Sequence, residues 1–420
     1  MKTVGIIAEY NPFHNGHEYH ITQAKEMTGA DYCIVVMSGN FTQRGIPAIM
    51  DKSLRIHSAL MCGADLIIEL PVHYATGSAE YFASGAVATL DKLGIIDCLC
   101  FGSECGDIKT LSAISNALMS ENDEFKDRLK QNMKAGQAYP HALASALDSI
   151  PPQLESQPEA QLEPSLKLLQ APNNILGIEY MKALAKRGSK IMPYTLARKG
   201  TGYNDDALCG PLSSALAIRA AIAKAKDLDA VKEQLPTDVY KLMKENYSKA
   251  FPVLMEDFFP MLLYKLIQEE GNGYSRYFDV DEAFSDRLKN LIYSCTDYAS
   301  LCKSLKTRNI TAARTARNLL HILLGIYQSD MDIFCTEDYV YYARIVGFRK
   351  EASALLSAIK ENTSIPLISK LADASLYIDS GNGKKMLAQD IQANHIYSSA
   401  ICSKFHMPLL NEYTRQIVIV

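Results

Sequence analysis

The chain has 420 residues, 48% apolar and 21% charged, with a formal net charge of −4. At roughly 150 residues per domain, that length implies two or three domains with buried cores. The slightly acidic balance excludes a general polycation, so any nucleic-acid binding has to come from a local basic patch. No apolar run approaches the roughly 18 residues of a membrane span. The first apolar stretch, Val4 to Ala8, ends at Glu9, which is unlike a signal peptide. Ten cysteines without a paired framework read as reduced thiols. The expectation is a soluble cytoplasmic protein with no membrane association.

In chain order, Thr3–Ala8 (TVGIIA) is rich in β-branched residues and predicts a buried strand. A helix follows from Gly16 to Met27, a second strand over Tyr32–Met37, and a loop over Ser38–Gly45. A helix over Lys52–Cys62 leads to a third strand, Asp65–Leu70, and an Ala/Ser-rich helix over Gly77–Leu93. A fourth strand, Asp97–Phe101, ends at Gly102-Ser103-Glu104. Strand–helix alternation with short connections predicts an α/β, doubly wound parallel sheet, whose ligands bind at the carboxyl ends of the strands. Residues 147–172 hold five prolines and four glutamines and read as a surface excursion. Asn174–Lys186 predicts a helix, Lys190–Ala197 a strand and Ser214–Lys226 another helix. Beyond that come amphipathic stretches with few strand signals. The expectation is a catalytic domain over 1–228 and an all-helical domain over 229–420, the boundary falling near 225–235.

The informative segment is Glu9-Tyr10-Asn11-Pro12-Phe13-His14-Asn15-Gly16-His17, between the first strand and the first helix. Backbone N–H groups and the positive end of a helix attract phosphate oxygens. His14 and His17 are i and i+3 on the first turn, so both rings can face one triphosphate. Gly16 leaves space for a ligand packed against the helix, and imidazole donors can stabilise charge developing at phosphorus and on departing pyrophosphate. The alternatives are zinc ligation by His14, His17 and His20, or plain surface histidines. Strand, H-x-G-H and helix start together resemble the nucleotidyltransferase superfamily, which includes class I aminoacyl-tRNA synthetases and pantothenate synthetase. A second stretch, Ser213-Ser214-Ala215-Leu216-Ala217-Ile218-Arg219, resembles that superfamily's late phosphate-binding signature, with Leu216 where threonine is usual. Its other reading is a helix N-capped by Ser213 or Ser214 with an outward Arg219.

The chain as a whole resembles the bacterial tRNA(Met) cytidine acetate ligase family. The stretches that carry this are VGIIAEYNPFHNGHEYH from Val4, MSGNFTQRG from Met37, GADLIIELP from Gly63 and FASGAV from Phe82. CFGSE from Cys100, PNNILGIEY from Pro172, RKGTGYND from Arg198 and a weaker ARTARNLLHILLG from Ala313 complete the set. The resemblance implies ATP-dependent activation of acetate to acetyl-adenylate, then acetyl transfer to N4 of the wobble cytidine of elongator tRNA(Met). It implies ATP lying on Ile7, Ala8, Glu9, Tyr10, Asn11, Pro12, Phe13, His14, Asn15, Gly16, His17 and His20 and against Gly102. Asn173 (or its neighbour Asn174), Arg198, Ser214 and Arg219 would complete that site, with Mg²⁺ accompanying the nucleotide. His14 and His17 are the expected catalytic pair. Ser38, Gly39, Asn40, Gln43 and Arg44 form a polar loop expected to cover acetate or receive cytidine. Lys52 and Arg55 open the next helix, facing phosphate, RNA or solvent.

Residues 1–109 carry seven basic and twelve acidic side chains, whereas residues 301–321 carry Lys303, Lys306, Arg308, Arg314 and Arg317 and no acid. The helical region is therefore the expected holder of RNA phosphates, with Asn318 and His321 extending the Arg314/Arg317 side. Cys98, Cys100 and Cys105 read as core cysteines rather than metal ligands. Two rival functions stay open: a nucleotidyltransferase acting on a small phosphorylated metabolite, and a non-catalytic RNA-binding protein that keeps ATP for its conformation.

Overall fold

The computed structural model describes residues 1–119, 123–135, 145, 168–169, 171–198, 208, 210–224, 228–307 and 310–420. The predicted excursion therefore lies, over 147–167, outside the described residues, as does Arg308.

The first five elements follow the hydrophobic pattern closely: β1 (Thr3–Ala8), α1 (Asn15–Thr28), β2 (Tyr32–Ser38), α2 (Lys52–Met61) and β3 (Leu66–Leu70); the one-turn α3 (Val72–Ala75) is an addition to the expected order. Then come α4 (Ala79–Lys92), β4 (Cys98–Ser103), α5 (Ile108–Met119), α6 (Asp123–Lys134), α7 (Pro172–Arg187), β5 (Met192–Ala197) and α8 (Ala215–Lys224). Strands order β5-β4-β1-β2-β3, all parallel. Alternate residues of each strand enter opposite apolar layers, as the period of two requires. Ile34, Val36, Leu66, Ile68, Leu99 and Phe101 pack with α4 and α7 on one face. Cys33, Val35, Met37, Ile67, Cys98 and Cys100 pack with α1 and α2 on the other. Cys98 and Cys100 are thus core residues, and Cys105 is half-buried beside Ser103.

The region after 228 is largely helical: α9 (Thr237–Asn246), α10 (Phe259–Glu269), α11 (Glu282–Leu291), α12 (Tyr298–Leu305), α13 (Ala312–Leu324), α14 (Gln328–Thr336), α15 (Ser353–Asn362) and the long α16 (Gly381–Phe405). It is not helical throughout. β6 (Ala343–Phe348) adds to the sheet antiparallel to β3, and β7 (Leu367–Ile368) and β8 (Val418–Ile419) pair parallel to β6. Phe258, Leu262, Leu320 and Tyr397 continue the same apolar layer that covers β2 and β3.

This packing overturns two surface expectations. Lys52 and Arg55, expected to face phosphate, RNA or solvent, are 1% and 0% exposed. Lys52 Nζ donates to both oxygens of Glu69 (2.8 and 2.9 Å) and to Glu412. Arg55 donates to the carbonyls of Glu9 (2.6 Å), Ser38 (3.1 Å), Gly39 and Met50 (3.2 Å), tying the ends of β1 and β2 together. His321, expected to extend a basic face, is fully buried between the carbonyls of Phe278 (2.9 Å) and Thr76 (3.0 Å), and Asn318 is buried beside it.

Candidate functional site

A cleft of about 250 Å³ opens at the carboxyl ends of β1, β4 and β5, walled by the first turns of α1, α7 and α8 and by Gln43 and Arg44. The helix starts aim N–H groups and positive dipole ends at one space.

Histidines form the α1 cap. His14 is the N-cap residue, with extended backbone (φ −148°, ψ 172°), and its Nδ1 accepts the Gly16 N–H at 3.0 Å. Reciprocally, the His14 N–H donates to His17 Nδ1 at 3.3 Å, closing a capping box from two imidazoles where Ser/Thr and Glu are usual. Because both Nδ1 atoms accept, each neutral ring carries its proton on Nε2. The two rings lie 3.8 Å apart between centroids, tilted by 30°. Burial, reinforced by Arg198 and Arg219, pushes His14 down to about 3. Burial, with His14, His20 and Arg198 nearby, holds His17 well below the usual value. The result is a pair of neutral N–H donors at a helix N-terminus. Gly16 has a different reason from the expected one: a Cβ there would stand 2.8 Å from His14 Cε1, so glycine keeps the His14 ring seated.

The second motif meets the first. Arg219 Nη1 donates to the Asn11 carbonyl at 2.6 Å, and Asn15 Nδ2 reaches the carbonyls of Pro211 (3.1 Å) and Glu233 (2.8 Å). Ser214 Oγ accepts the Ala217 N–H at 3.1 Å, capping α8, and Ser213 Oγ donates to the Gly210 carbonyl at 2.9 Å. Ser213, Ser214, Leu216 and Arg219 all line the cleft: Ser214 caps the helix as the alternative reading has it, but Arg219 faces inward, not outward.

The remaining predicted residues divide cleanly. Ile7, Ala8, Glu9, Tyr10, Asn11, His20, Gly102, Asn173 and Arg198 line the cleft with the pair. Pro12, Phe13 and Asn15 do not: Asn15 ties the helix start to Pro211 and Glu233, and Pro12 and Phe13 are buried, Phe13 packing its ring against Tyr10 (4.9 Å) and His17 (5.5 Å). Asn173 is the cleft residue of its pair. Asn174 is buried and builds the turn, its Oδ1 accepting the N–H groups of Glu104 (2.9 Å) and Cys105 (3.2 Å). Gln43 and Arg44 reach the cleft. Ser38, Gly39 and Asn40 lie beneath it, Asn40 bonded to Asn394 (2.9 Å) and to the Lys52 N–H (2.7 Å). Sequence reasoning missed the apolar wall of Phe82, Phe101, Leu176, Tyr180 and Leu196, since hydrophobic residues lining a pocket have the pattern of core residues.

In the basic region, Lys303 and Lys306 are exposed, while Arg314 pairs with Asp279 (3.1 Å) and Arg317 lies 3.9 Å from it. The acid missing from 301–321 is supplied by another segment. Gly45, at φ +74°, presses the cleft loop against α13 so closely that a Cβ would stand 2.3 Å from the Arg317 nitrogen. Among the described residues no group of three His, Cys, Asp or Glu side chains converges to hold a metal, and no helix is long and apolar enough to cross a membrane.

Comparison with known proteins gives three concordant results. The family described as HIGH Nucleotidyl Transferase matches residues 1–408. The tRNA(Met) cytidine acetate ligase of Acetivibrio thermocellus is 39% identical over 429 residues, covering 100% of both chains, and that of Caldanaerobacter subterraneus subsp. tengcongensis is 39% identical over 401 residues, covering 95% of this chain and 96% of the relative. The crystal structure of apo Thermotoga maritima TmcAL superposes with a TM-score of 0.92 at 29% identity, and the form bound with alpha-thio ATP with 0.89 at 28%, each covering 100% of both chains.

Proposed function

The chain belongs to the HIGH nucleotidyl transferase family and, within it, to the tRNA(Met) cytidine acetate ligases, and we propose that the cleft around His14 and His17 is where it activates acetate. The enzyme is an ATP-dependent carbon–nitrogen ligase that modifies tRNA(Met). Acetate attacks the α-phosphate of ATP, giving acetyl-adenylate and pyrophosphate. The acetyl group then passes to N4 of the wobble cytidine of elongator tRNA(Met), and AMP leaves. Activation falls on the acyl side because the cytosine amino lone pair is delocalised into the ring.

The observation that carries this reading is the double imidazole cap. With each Nδ1 fixed by a backbone N–H, the two Nε2–H donors are held ready for charge that grows on the α-phosphate and on departing pyrophosphate, with no reorganisation needed during the reaction. Arg198 and Arg219 add positive charge near the histidine pair, and the N–H groups at the starts of α1 and α8 receive phosphate oxygens. The wall of Phe101, Leu176, Tyr180 and Leu196 suits an apolar base or methyl group. Mg²⁺ belongs with the nucleotide: Mg²⁺ keeps several waters and binds through phosphates and one or two carboxylates. A cleft wall poor in acids fits a metal carried by the triphosphate, and when bound it neutralises phosphate charge.

Residues 1–228 are the catalytic part and 229–420 the part that grips tRNA, in the cytoplasm, through Lys303, Lys306, Arg308, Arg314 and Arg317. The seating of Gly45 against Arg317 supports this, since it joins the basic helix to the loop bearing Gln43 and Arg44. The test supplies ATP, Mg²⁺, labelled acetate and total bacterial tRNA, then digests the RNA to nucleosides for mass spectrometry. Labelled N4-acetylcytidine that requires ATP, and that disappears with His14→Ala, is the expected result. ATP turnover with a phosphorylated metabolite and no labelled nucleoside would replace the ligase by a small-molecule nucleotidyltransferase.

A further inference from the structure

Acyl transfer to an amino group needs a proton acceptor, because the attacking nitrogen becomes cationic as it bonds to carbon. The cleft offers few. His14 and His17 carry their protons on Nε2 and have Nδ1 occupied by backbone N–H groups, so neither has a free lone pair. His20 lines the cleft, but its Nε2 is buried from solvent, and burial holds that ring down at about 4. Burial raises the phenols of Tyr10 and Tyr180, which keeps them protonated. Among the described residues lining the cleft, the one carboxylate is Glu9.

Glu9 is held for use. It follows the last residue of β1, its carbonyl clamped by Arg55 at 2.6 Å. Its Oε1 accepts the Gln43 N–H at 2.7 Å, and no donor among the described residues reaches Oε2. The carboxylate therefore bridges the nucleotide side of the cleft to the polar loop, with one oxygen fixed and the other without a donor among the described residues.

We propose that Glu9 is the general base of the second half-reaction, taking the proton from the cytidine amino group as it attacks acetyl-adenylate. The assignment rests on the ligase reading above. The amino nitrogen bonds to the acetyl carbon, and the carbonyl pair moves onto oxygen. The N–H proton passes to Glu9 Oε2. The oxyanion then re-forms the carbonyl, the carbon–oxygen bond to the phosphate breaks, and AMP leaves with the electron pair. Glu9 returns its proton to water, so one amide forms, one acyl phosphate is lost and one proton is released.

The two half-reactions make the test selective. Acetate-dependent exchange of labelled pyrophosphate into ATP reads adenylation, and hydroxylamine traps the adenylate as acetohydroxamate without needing an enzymic base. Single-turnover transfer from preformed acetyl-adenylate to tRNA reads the second step. In Glu9→Gln, which retains an oxygen for the Gln43 N–H, the ratio of transfer to exchange should fall on the order of 100-fold, whatever loss of exchange and hydroxamate formation accompanies a change in the nucleotide cleft. An equal loss of exchange would overturn the assignment and make Glu9 a group for adenylation or folding; unchanged transfer would place the base elsewhere. Absence of acetate-dependent exchange in the unsubstituted enzyme would overturn the ligase reading itself.

Discussion

Two groups of charged residues flank the same strand ends and are built on opposite plans. Beneath the polar loop, Lys52, Arg344 and Arg415 meet Glu69, Glu412 and Asp51 in a closed network. Arg344 reaches Glu69 (2.8 Å) and Glu412 (2.6 Å), and Arg415 forks onto Asp51 (2.6 and 3.1 Å). Burial favours protonation of Asp51, but Arg415 and Lys52 outweigh it and hold Asp51 down at about 2; for Glu69, burial is likewise outweighed by Arg344 and Lys52. The cleft is lined differently. Arg198 and Arg219 stand among neutral histidines and, among the described lining residues, one carboxylate, and burial, reinforced by these cations, pushes His14 down. Buried cations matched by buried acids serve the fold, whereas a cation-bearing cleft wall suits an anionic ligand.

The largest effect comes from opening the closed network. Lys52→Ala takes one buried cation from Glu69 and Glu412, which keep Arg344, and removing one partner of a buried pair costs about 3–5 kcal/mol. Denaturant unfolding should show that loss, while the molecules that remain folded keep acetate-dependent exchange. A loss below about 1 kcal/mol would mean that the network is wet or relaxes without cost.

The converse substitution lies in the cleft. His14→Ala should lower adenylation about 100- to 1,000-fold, the usual cost of one preorganised donor, with a stability change near the ~1 kcal/mol of a lost cap. His14→Asn separates the two roles, since an Asn oxygen can still accept the Gly16 N–H. It should restore the stability and leave adenylation impaired. Recovery of both would show that His14 acts only as a cap.

These two regions also differ in how well the sequence displays them. The cleft motif is local: His14, Gly16 and His17 fall within one span of four residues at the start of α1, and Ser214 and Arg219 open one helix. The strand–helix alternation of the first 110 residues is equally local, and observed boundaries fall within a residue or two of the expected ones. The closed network is not local. Lys52 and Arg344 find Glu412 across 360 and 68 residues, so each cation taken alone looks like a solvated one. β6 was hidden for the same reason: Arg344 breaks its apolar run, and only the distant carboxylates make that arginine a core residue. A signal did exist in Glu69, an acid inside the apolar run LIIEL, which requires a buried partner somewhere.

A smaller and pH-dependent difference follows from the histidines. His73 and His321, like His20, are pushed down by burial to about 4, and His14 to about 3. Between about pH 6.5 and those values the unfolded chain binds protons that the folded chain refuses, so stability falls as pH drops through this window. Bound triphosphate should raise the cleft histidines and leave His73 and His321 alone. The thermal shift produced by ATP should therefore grow as pH is lowered from 7.5 to 5.5, and grow less in His14→Asn, which also controls for protonation of ATP. Equal growth in both proteins would remove His14 from phosphate contact.

The smallest expected change tests whether the cleft is still short of donors. Leu216 lines it at the start of α8, half-buried and without a polar atom, where the resembling family usually carries threonine. Leu216→Thr places a hydroxyl beside Ser214 and Arg219. A net neutral hydrogen bond is worth about 0.5–1.5 kcal/mol, so KM for ATP should fall by about two- to twelvefold. Stability should drop slightly, because a half-buried leucine loses part of its apolar contact. If KM is unchanged while the protein is destabilised, Leu216 packs against the base or ribose and not the phosphates, and the phosphate donors are complete without it. The same substitution would add nothing beneath the loop, where every charge already has its partner, and that asymmetry separates a binding cleft from a structural one.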